Sequence, residues 1–537
     1  FTFNGDYDKT FAAPNGYYVD GQFPTQGQEI NTTNVGGIVN PDGSVIWGGR
    51  IPGNASGGSD FYLRKFTATG AIDTSFGTNG FVRTIFSTQF DGNVVGDSNP
   101  VVIKRQADGK IVMGGICNQL RSATDSASNG GPGTDFCLVR YNADGSIDTG
   151  FGGYSFQYYG PTTFYTNTLA PGRVWIKSGI DENGTLFGSS SQLRDMAIQP
   201  DGKIIVVGET ISRVNPYFQG VGIARYEGVV VRFNPNGTLD TSFGNNNTGI
   251  ARFIGNTCTA SGTTYYPFRG FYGVRLQADG RIIAVGYDGN FDAGCGRGLV
   301  FVVTRWNSNG TLETARRLDA STDPFANERA TTALISNDGT KLLVGGYYQQ
   351  RATLVRLNLS DLTIDTSFGT NGVIKYNNAQ FNPLFIKAIQ PDGKILAIQS
   401  DNFGVITRIN PNGSPDNSFG NRPFDSANTL GRARLTVSWF RGNNPELGVA
   451  DLALYPNSRF VTFGTIGDGQ ATRSYTSRHN TNYRSGIYSD FTNDGKAEIS
   501  VFRPSSGVWH LLNSSSNAYS AFNWGISTDK IAPADYD

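Results

Sequence analysis

An acidic residue recurs eight positions after a basic residue along most of this 537-residue chain. A carboxylate beside a cation can serve acid–base chemistry, or it can simply tie two segments together. The same pair repeated at regular intervals does not make a series of active sites, so we interpret it as structural. The pairs are Lys65/Asp73, Arg140/Asp148, Arg232/Asp240, Arg305/Glu313 and Arg408/Asp416, with one extra residue in Arg356/Asp365.

The acidic residue belongs to a motif whose clearest form, IDTSFGTNG, occurs twice, at 72–80 and 364–372. In the copy LETARR the Ser-Phe-Gly residues are missing, but an acidic residue is still present as Glu313. The negative charge is thus kept where the loop sequence is not. We therefore predict an ion pair, although the carboxylate could instead cap the turn that follows it. The phenylalanine is predicted to wedge between neighbouring structural units, where an aromatic ring buries a large area. The motif copies lie at 72–77, 147–152, 239–244, 312–317, 364–369 and 415–420, with a worn copy in 6–19, and the predicted wedges include Phe76, Phe243 and Phe368.

Nucleophilic catalysis is disfavoured by the histidines. The chain has only two, His479 and His510, and both are expected to follow the repeats, which excludes a Ser-His-Asp or Cys-His arrangement and a histidine metal cluster within them. A glycosidase-like carboxylate pair stays open. No acidic constellation stands out from the repeated ones, so we expect no catalysis, with a carbohydrate-active enzyme as the least favoured alternative.

The four cysteines form no CxxC pair, which disfavours zinc. Cys117 and Cys137 follow one another in strand-like runs, and neighbouring antiparallel strands would bring them within disulfide reach. We expect bridges 117–137 and 258–295 (Cys258 with Cys295) and hence an oxidising compartment, against the alternative of four buried thiols.

Two insertions rich in aromatic residues interrupt the repeats. Irregular aromatic loops suit contacts with a glycan or a protein, although they could equally serve only to cover structural edges. We take them as the candidate binding residues. They are Tyr158, Tyr159, Phe164, Tyr165 and Trp175 in the first insertion, and Tyr265, Tyr266 and Phe268 in the second.

Composition limits the partners. Lys plus Arg equals Asp plus Glu at 44 each, so the basic footprint that nucleic acid requires is missing. No apolar run is long enough for a membrane helix. The chain opens at Phe1, which fits a removed leader or a trimmed sequence. With the cysteines, these features favour a secreted or cell-surface protein.

The fold follows from a second unit that alternates with the acidic motif: an Asp-Gly turn followed by an apolar run. A third element, a strand ending in Arg before an Asn-Gly turn, lies between them. Four short antiparallel strands per unit, seven times over, predict an all-β protein with one seven-bladed propeller at 1–478. The apolar runs are at 40–49, 106–115, 199–208, 277–286, 337–346, 390–399 and 455–464.

In combination, DTSFGTNG, QPDGKI and the strand–turn RFNPNGTLD resemble the delta-60 repeat over roughly residues 6–476. The resemblance implies a propeller in a large bacterial extracellular protein and carries no common activity.

Residues 479–537 depart from this pattern and resemble part of an FG-GAP or VCBS-type repeat, in SDFTNDGKAEISVFRPSSGVWH and the closing PADYD. Loops of that family often bind calcium, which makes Ca²⁺ the one candidate cofactor. The partial repeat implies either a chain that continues or a β segment that packs on the propeller or on another molecule. The corresponding loop positions are Asp490, Thr492, Asp494, Lys496 (through its carbonyl) and Glu498, with threonine where the family has aspartate.

A second calcium candidate is the loop 142–148, whose oxygens alternate as in an EF-hand. The other copies replace Asp144 with asparagine, so a plain hairpin turn is preferred there. Taken together, the sequence predicts a non-catalytic extracellular propeller that binds a protein or glycan. The alternative is a subunit that assembles with copies of itself into a filament or surface layer.

Overall fold

The computed structural model describes the chain in segments that carry nearly all of the predicted strands. Between them lie the residues of several connections. The described residues are 7–20, 33–52, 58–86, 89–90, 93–94, 98–118, 134–159, 163–168, 170–177, 191–214, 223–244, 248–254, 258–260, 263–265, 268–289, 298–318, 328–348, 351–376, 383–399, 405–419, 432–434, 446–455, 459–467, 472–479, 499–503, 508–512 and 519–523.

The described part is almost entirely β-structure, with its turns and an irregular loop at Ala12–Gly16 whose backbone angles are not helical. Short runs of Val, Ile, Phe and Tyr between Gly and Asn turns favour strands of this length. In chain order the strands are β1 Tyr17–Val19, β2 Thr33–Val39, β3 Val45–Pro52, β4 Ser59–Phe66, β5 Phe81–Thr84, β6 Gln89–Phe90, β7 Asn93–Val94, β8 Ser98–Arg105, β9 Ile111–Asn118, β10 Thr134–Tyr141, β11 Tyr154–Tyr159, β12 Thr163–Thr168, β13 Arg173–Lys177, β14 Ser191–Ile198, β15 Ile204–Val214, β16 Ile223–Phe233, β17 Ile250–Phe253, β18 Cys258–Ala260, β19 Thr263–Tyr265, β20 Phe268–Leu276, β21 Ile282–Gly289, β22 Val300–Trp306, β23 Leu312–Leu318, β24 Arg329–Ile335, β25 Lys341–Tyr348, β26 Arg351–Asn358, β27 Val373–Lys375, β28 Leu384–Ile389, β29 Ile395–Gln399, β30 Val405–Ile409, β31 Arg432–Arg434, β32 Glu446–Leu454, β33 Phe460–Gly467, β34 Thr472–His479, β35 Ile499–Arg503, β36 Val508–Leu512 and β37 Tyr519–Asn523.

These strands form the predicted seven-bladed propeller of antiparallel sheets. Within a blade the chain runs from the innermost strand to the outermost, and the innermost strands of successive blades contact each other around the axis. Blades 1 to 6 are β2–β5, β8–β10 with β13, β14–β17, β20–β23, β24–β27 and β28–β31, and blade 7 is β32–β34 with β1.

The ring is closed by the N-terminal segment Tyr7–Asp20, which we call the strap. Its strand β1 pairs with β34 as the outermost strand of blade 7, with Tyr18 opposite Thr476. The blade that is last in the chain is therefore completed by residues that are nearly the first. The contact between blade 7 and blade 1 is called the seam below.

Up-and-down strand order divides the disc into two faces. The turn face carries the hairpins after the first and third strands of each blade, and the loop face carries all other connections. On the turn face, the first-strand hairpins of blades 1 to 6 share one geometry, with the glycine N–H bonded three residues back at 2.8–3.0 Å, as in Gly109 to Gln106 and Gly339 to Ser336. On the loop face the connections vary in length, from the two residues 349–350 to the 15 residues 119–133.

The hydrophobic cores lie between blades, because both sides of each sheet are covered by a neighbour. Val302 packs on the blade 3 side of its strand, and the next residue, Val303, packs on the blade 5 side. Continuous apolar runs in the repeats are thereby explained: alternate residues enter different cores.

Blade 2 departs from the common plan in two respects. The hairpin β11–β12 adds to the outer side of β13, which makes a six-stranded sheet. Cys117 and Cys137, both about 1% exposed, form the predicted disulfide across β9 and β10. For the second predicted bridge, the backbone of Cys258 begins β18, while its side chain and Cys295 lie outside the described residues.

Past the propeller, β35, β36 and β37 form a separate three-stranded antiparallel sheet. The last propeller strand includes His479, which the sequence reading had placed after the repeats. In the described ranges, no helix has the length and apolar character needed to cross a membrane.

Candidate functional site: two faces of the disc

The repeated cation–acid pairs lie on the turn face, at contacts between blades that we call joints. In the joint of blade 3, Arg232 Nε lies 2.7 Å from Asp240 Oδ2 and Phe243 is fully buried beneath the guanidinium, 4.4 Å from ring to cation. Arg232 also donates to the carbonyl of Ser308 in blade 4. One arginine therefore binds its own turn, an aromatic ring and the next blade.

The same contacts recur around the ring. The carboxylate also caps its turn, since Asp240 Oδ1 accepts from the N–H and hydroxyl of Ser242 at 3.1 and 2.6 Å, so the two roles weighed from the sequence coexist. The other predicted pairs lie at 2.9 Å for Lys65–Asp73, 2.7 Å for Arg140–Asp148, 2.5 Å for Arg305–Glu313, 2.9 Å for Arg356–Asp365 and 2.6 Å for Arg408–Asp416.

The phenylalanines fill the space between blades. Phe76 is 1% exposed and packs with Ile103 and Val139 of blade 2, and Phe368 is buried against blade 6. The ring of Phe151 comes so close to blade 3 that a Cβ added to Gly237 would lie 2.9 Å from it, which explains a glycine there.

The joints contain a second cation that the spacing argument missed. Lys203 Nζ lies 2.9 Å from Asp240, and Lys341 lies 2.9 Å from Asp365. Both lysines come from the first-strand hairpins: Lys203 follows Asp-Gly directly, and Lys341 follows it after Thr340. Because that turn is far from the acid in sequence, only the fold brings the two repeated units together. The equivalent residues elsewhere are Lys110, Arg281, Lys394 and Arg459.

Blade 4 lacks the phenylalanine, and its joint is completed from the other side. Arg305 donates to the carbonyls of Leu359 and Ser360 in blade 5, at 3.0 and 2.9 Å. That turn is one residue longer than its relatives, and it buries Leu359 and Leu362 in the core between the two blades. The extra residue noted between Arg356 and Asp365 thus supplies apolar volume where the ring is missing.

The joint at the seam is made by the strap. Asp8 Oδ2 accepts from Arg478 Nε at 2.8 Å, 470 residues away, and Phe11 is buried with its ring 5.1 Å from that guanidinium. Arg478 also donates to the carbonyl of Ala68 in blade 1 at 2.8 Å. The worn motif copy in 6–19 therefore occupies the joint position of blade 7.

The electrostatics of the joints favour ionised acids. The Ser367 hydroxyl, with Lys341 and Arg356, holds the pKa of Asp365 well below its usual range. Burial opposes ionisation of Asp148, but Lys110, the Gly150 N–H and Arg140 outweigh it, and that pKa is lowered too. A carboxylate held as an anion between two cations is a poor proton donor, which fits a structural role.

The loop face carries a different network near the axis, shared by blades 3, 4 and 5. Glu209 accepts from Arg194 at 2.6 Å and from the Tyr287 hydroxyl at 2.5 Å. Arg194 lies 4.8 Å from the ring of Tyr272, whose hydroxyl accepts from Arg329 at 3.1 Å. Burial, followed by the Glu209 charge, raises the pKa of Tyr287 far above its usual value, so the phenol stays neutral.

Other acids of the loop face are also engaged. Arg252 lies 2.7 Å from Glu227, and Asp288 accepts from Arg269 at 2.5 Å and from Arg317. Sequence reasoning missed these residues because its spacing argument covered the joint pairs alone. The Glu227–Arg252 pair has a counterpart in Asp60–Arg83 of blade 1, whereas the pairing of Asp288 with two arginines is described in blade 4 alone.

The predicted binding aromatics divide into three groups. Phe268 is half-buried on the loop face and its ring lies 4.7 Å from that of Tyr226. Trp175 is a correction: its indole is 7% exposed, packs near the disulfide and donates to Asp135 at 3.0 Å, because β13 turns it into the core. The backbones of Tyr158 and Tyr159 in β11, of Phe164 and Tyr165 in β12 and of Tyr265 in β19 are placed, but their side chains, and Tyr266 entirely, lie outside the described residues.

His479 is a second correction. It lies inside blade 7, fully buried, with Nε2 2.8 Å from Ser477 Oγ and its ring stacked on Phe460. A serine–histidine contact therefore exists in the propeller, but it is a core contact that no substrate reaches.

The proposed calcium loop, Asp490, Thr492, Asp494, Lys496 and Glu498, lies outside the described residues. Among the residues that are described, no group of three or more His, Cys, Asp or Glu side chains could hold a metal ion.

Comparison with known proteins supports the propeller assignment. A family model described as "Domain of unknown function (DUF5122) beta-propeller" matches residues 40–76, 106–151, 199–243, 338–368 and 390–419. Each match runs from an Asp-Gly turn to the joint phenylalanine. The two unmatched units are blade 4, which has lost the phenylalanine, and blade 7, whose joint motif comes from the strap. The chain is a seven-bladed propeller repeat protein.

No curated protein matches the chain. Among solved structures, Sqt1 from Chaetomium thermophilum has a TM-score of 0.38 at 11% identity, covering 86% of this chain and 97% of that one. The propeller domain of the Trilobed protease from Pyrococcus furiosus has 0.38 at 7%, with 84% and 94% covered, and the Dos1 propeller 0.35 at 8%, with 83% and 92%. Likeness at this level carries no functional argument.

Proposed function

We propose that this protein is a non-catalytic binding module that contacts a protein or glycan partner through the loop face of its propeller. The observation that carries the proposal is the division of the disc. On the turn face the first-strand hairpins keep nearly one length and the joints repeat one set of ion pairs, whereas the connections on the loop face differ in length from blade to blade. Variable connections on a rigid scaffold are where binding residues concentrate.

The charges of the loop face support a binding role over hydrolysis. A glycosidase needs one carboxylic acid that keeps its proton near neutral pH. Asp60, Glu209, Glu227 and Asp288 each form an ion pair with at least one arginine. Among the described residues, the acid with a raised pKa, Asp20, is 4% exposed at the seam.

An extracellular or cell-surface location is part of the proposal. The buried disulfide between Cys117 and Cys137 supports it, because such bonds persist in oxidising compartments.

The test uses the ring pair on the loop face. The purified protein is screened on a glycan array and against surface proteins of the producing cells, and each binder is retested with Tyr226→Ala/Phe268→Ala. We expect at least about tenfold weaker binding with an unchanged melting temperature. The control is Tyr519→Ala, since Tyr519 is 65% exposed in the C-terminal sheet. Binding that survives the double variant and fails in the control would contradict the loop-face assignment.

Self-assembly is the second candidate, and one observation favours it. The strand β12, sequence TFYTNT, forms the outer edge of blade 2 without a charged residue or a proline, which are the usual protections of an edge strand. Electron microscopy separates the two candidates: ordered polymers favour assembly into a filament or layer, and discrete discs favour the binding module.

A further inference from the structure

The described surface contains an open cleft at the seam, on the rim of the turn face and away from the loop face. Its volume is about 590 Å³. One wall is the strap, including Ala13 and Asn15, and the other is the third-strand hairpin of blade 1, including Thr69 and Ala71. The strap here carries one residue more between Phe11 and β1 than the loop between Phe76 and Phe81 does in blade 1.

The cleft is bordered by a strand edge. Tyr17, Tyr18 and Val19, three consecutive residues of β1, all line it. Successive side chains of a strand point to opposite faces, so three in a row can border one space only along the edge of the strand. β1 is the outermost strand of blade 7, and therefore this edge is the one turned away from β34.

The ladder pattern places backbone groups at that edge. Asp20 N–H donates to the carbonyl of Ser474 at 2.9 Å. Because the bonds of an antiparallel pair alternate along the strand, the N–H and C=O of Val19 then point away from β34, toward the cleft. An extended chain laid there finds a donor and an acceptor at strand spacing.

The cleft is uncharged. None of its lining residues is acidic or basic, and the acids next to the lining are already paired: Asp8 with Arg478 and Arg459, Asp20 with Arg64 and Asp73 with Lys65. An ionic group would lose hydration in this space without gaining a partner. The threonines and Asn15 at its border offer hydrogen bonds to neutral polar groups instead.

We infer that the seam cleft is a second binding site, which takes an uncharged peptide segment in extended conformation as a fifth strand of blade 7. Main-chain hydrogen bonds to the edge of β1 would supply affinity, and the neutral walls would select against charged side chains. The site is independent of the loop face, so it would give the disc contacts on both sides.

The experiment blocks the cleft at its lip. Ala71 is exposed, and Ala71→Trp fills the cleft; Ser146→Trp puts the same side chain at the equivalent position of blade 2 and serves as the matched control. Short peptides selected on the wild-type protein by display are synthesised and titrated against all three proteins. We expect a class of binders that loses at least about tenfold affinity in Ala71→Trp and is unchanged in Ser146→Trp.

Two further readouts decide the chemistry. Members of that class should have uncharged central residues, and their addition should slow amide exchange at 17–19 in the wild-type protein. The inference is overturned if all binders tolerate Ala71→Trp, if the sensitive ones are charged at their centre, or if a neutral oligosaccharide is the ligand displaced. Should Ala71→Trp melt early, Ala13→Trp blocks the cleft from the strap, with Thr78→Trp in blade 1 as its control.

Discussion

The two faces of the disc are made by the same strands and obey different rules. On the turn face, a cation, an acid and, in most blades, a phenylalanine repeat at fixed spacing. On the loop face, Glu209 and Asp288 have no counterparts at fixed spacing. Stability is concentrated where the chain repeats, and partner contacts are expected where it varies. Each prediction below tests that separation.

The largest effect is expected from removing a joint ring. Phe368→Ala empties a fully buried site between blades 5 and 6, which should lower the free energy of unfolding by about 3–5 kcal/mol. Denaturant titration measures it. Phe268→Ala on the loop face is the matched control and should cost less than about 1 kcal/mol, since its ring is half-buried. Equal losses would erase the distinction between the faces.

The next largest effect is expected from removing the disulfide, which links the two strands on either side of the loop-face connection 119–133. Cys117→Ser/Cys137→Ser removes a cross-link over 20 residues and should destabilise by about 3 kcal/mol. Thermal melts of the variant and of reduced wild-type protein should agree. Binding at the loop face should weaken only if the segment 119–133 takes part.

Acidity should act in opposite directions at the seam and at the joints. Burial raises the pKa of Asp20 to about 6, with Arg64 3.3 Å away opposing the shift. Its folded-state pKa lies above the unfolded value, so lowering the pH from about 7 to 5 should increase stability. Below about pH 4 the joint acids, whose pKa values are lowered, become protonated in the unfolded chain first, and stability should fall.

Asp20→Asn isolates the seam contribution. At about pH 7 the variant should be more stable than wild type, by at most about 2–3 kcal/mol. Its stability should not increase between pH 7 and 5, but it should still decrease below about pH 4. Urea titrations across this range measure both arms. If the variant still became more stable between pH 7 and 5, that increase would have to come from another titrating group.

The smallest effect is expected from the outer cations of the joints. Lys203→Met removes a partner of Asp240 but leaves Arg232 in place, and the lysine side chain is 27% exposed. We expect a loss of at most about 1 kcal/mol, decreasing with added salt. A loss as large as that of Phe368→Ala would make the lysine, not the ring, the main element of the joint.

Much of the fold could be predicted from the sequence because each blade repeats the same pattern of turns and apolar runs. Seven turn-plus-apolar-run units, six of them with Asp-Gly, and the eight-residue spacing of Arg140 and Asp148 indicated blades and their register. Contacts between residues of different repeat elements could not be predicted from the sequence. Lys203 lies near Asp240 only after the sheet folds, and Asp8 meets Arg478 only after the ring closes.

The misplaced residues share a physical cause. Trp175 looked like part of an aromatic loop, but the strand alternation of β13 turns it inward, onto the disulfide. His479 looked like the start of a new domain, yet the strap extends the sheet past it through Tyr7. In both cases a strand was longer, or lay elsewhere, than its local sequence indicated.

The closure by the strap has a consequence for biosynthesis. In blades 2 to 6 the acid follows its arginine within eight or nine residues, so a joint can form as soon as both leave the ribosome. At the seam the order is reversed and the interval is 470 residues. At usual elongation rates Asp8 and Phe11 must wait roughly 20–90 s for Arg478 to be made. The strap is thus the earliest synthesised and last docked part of the ring, and during that interval blade 1 lacks its neighbour.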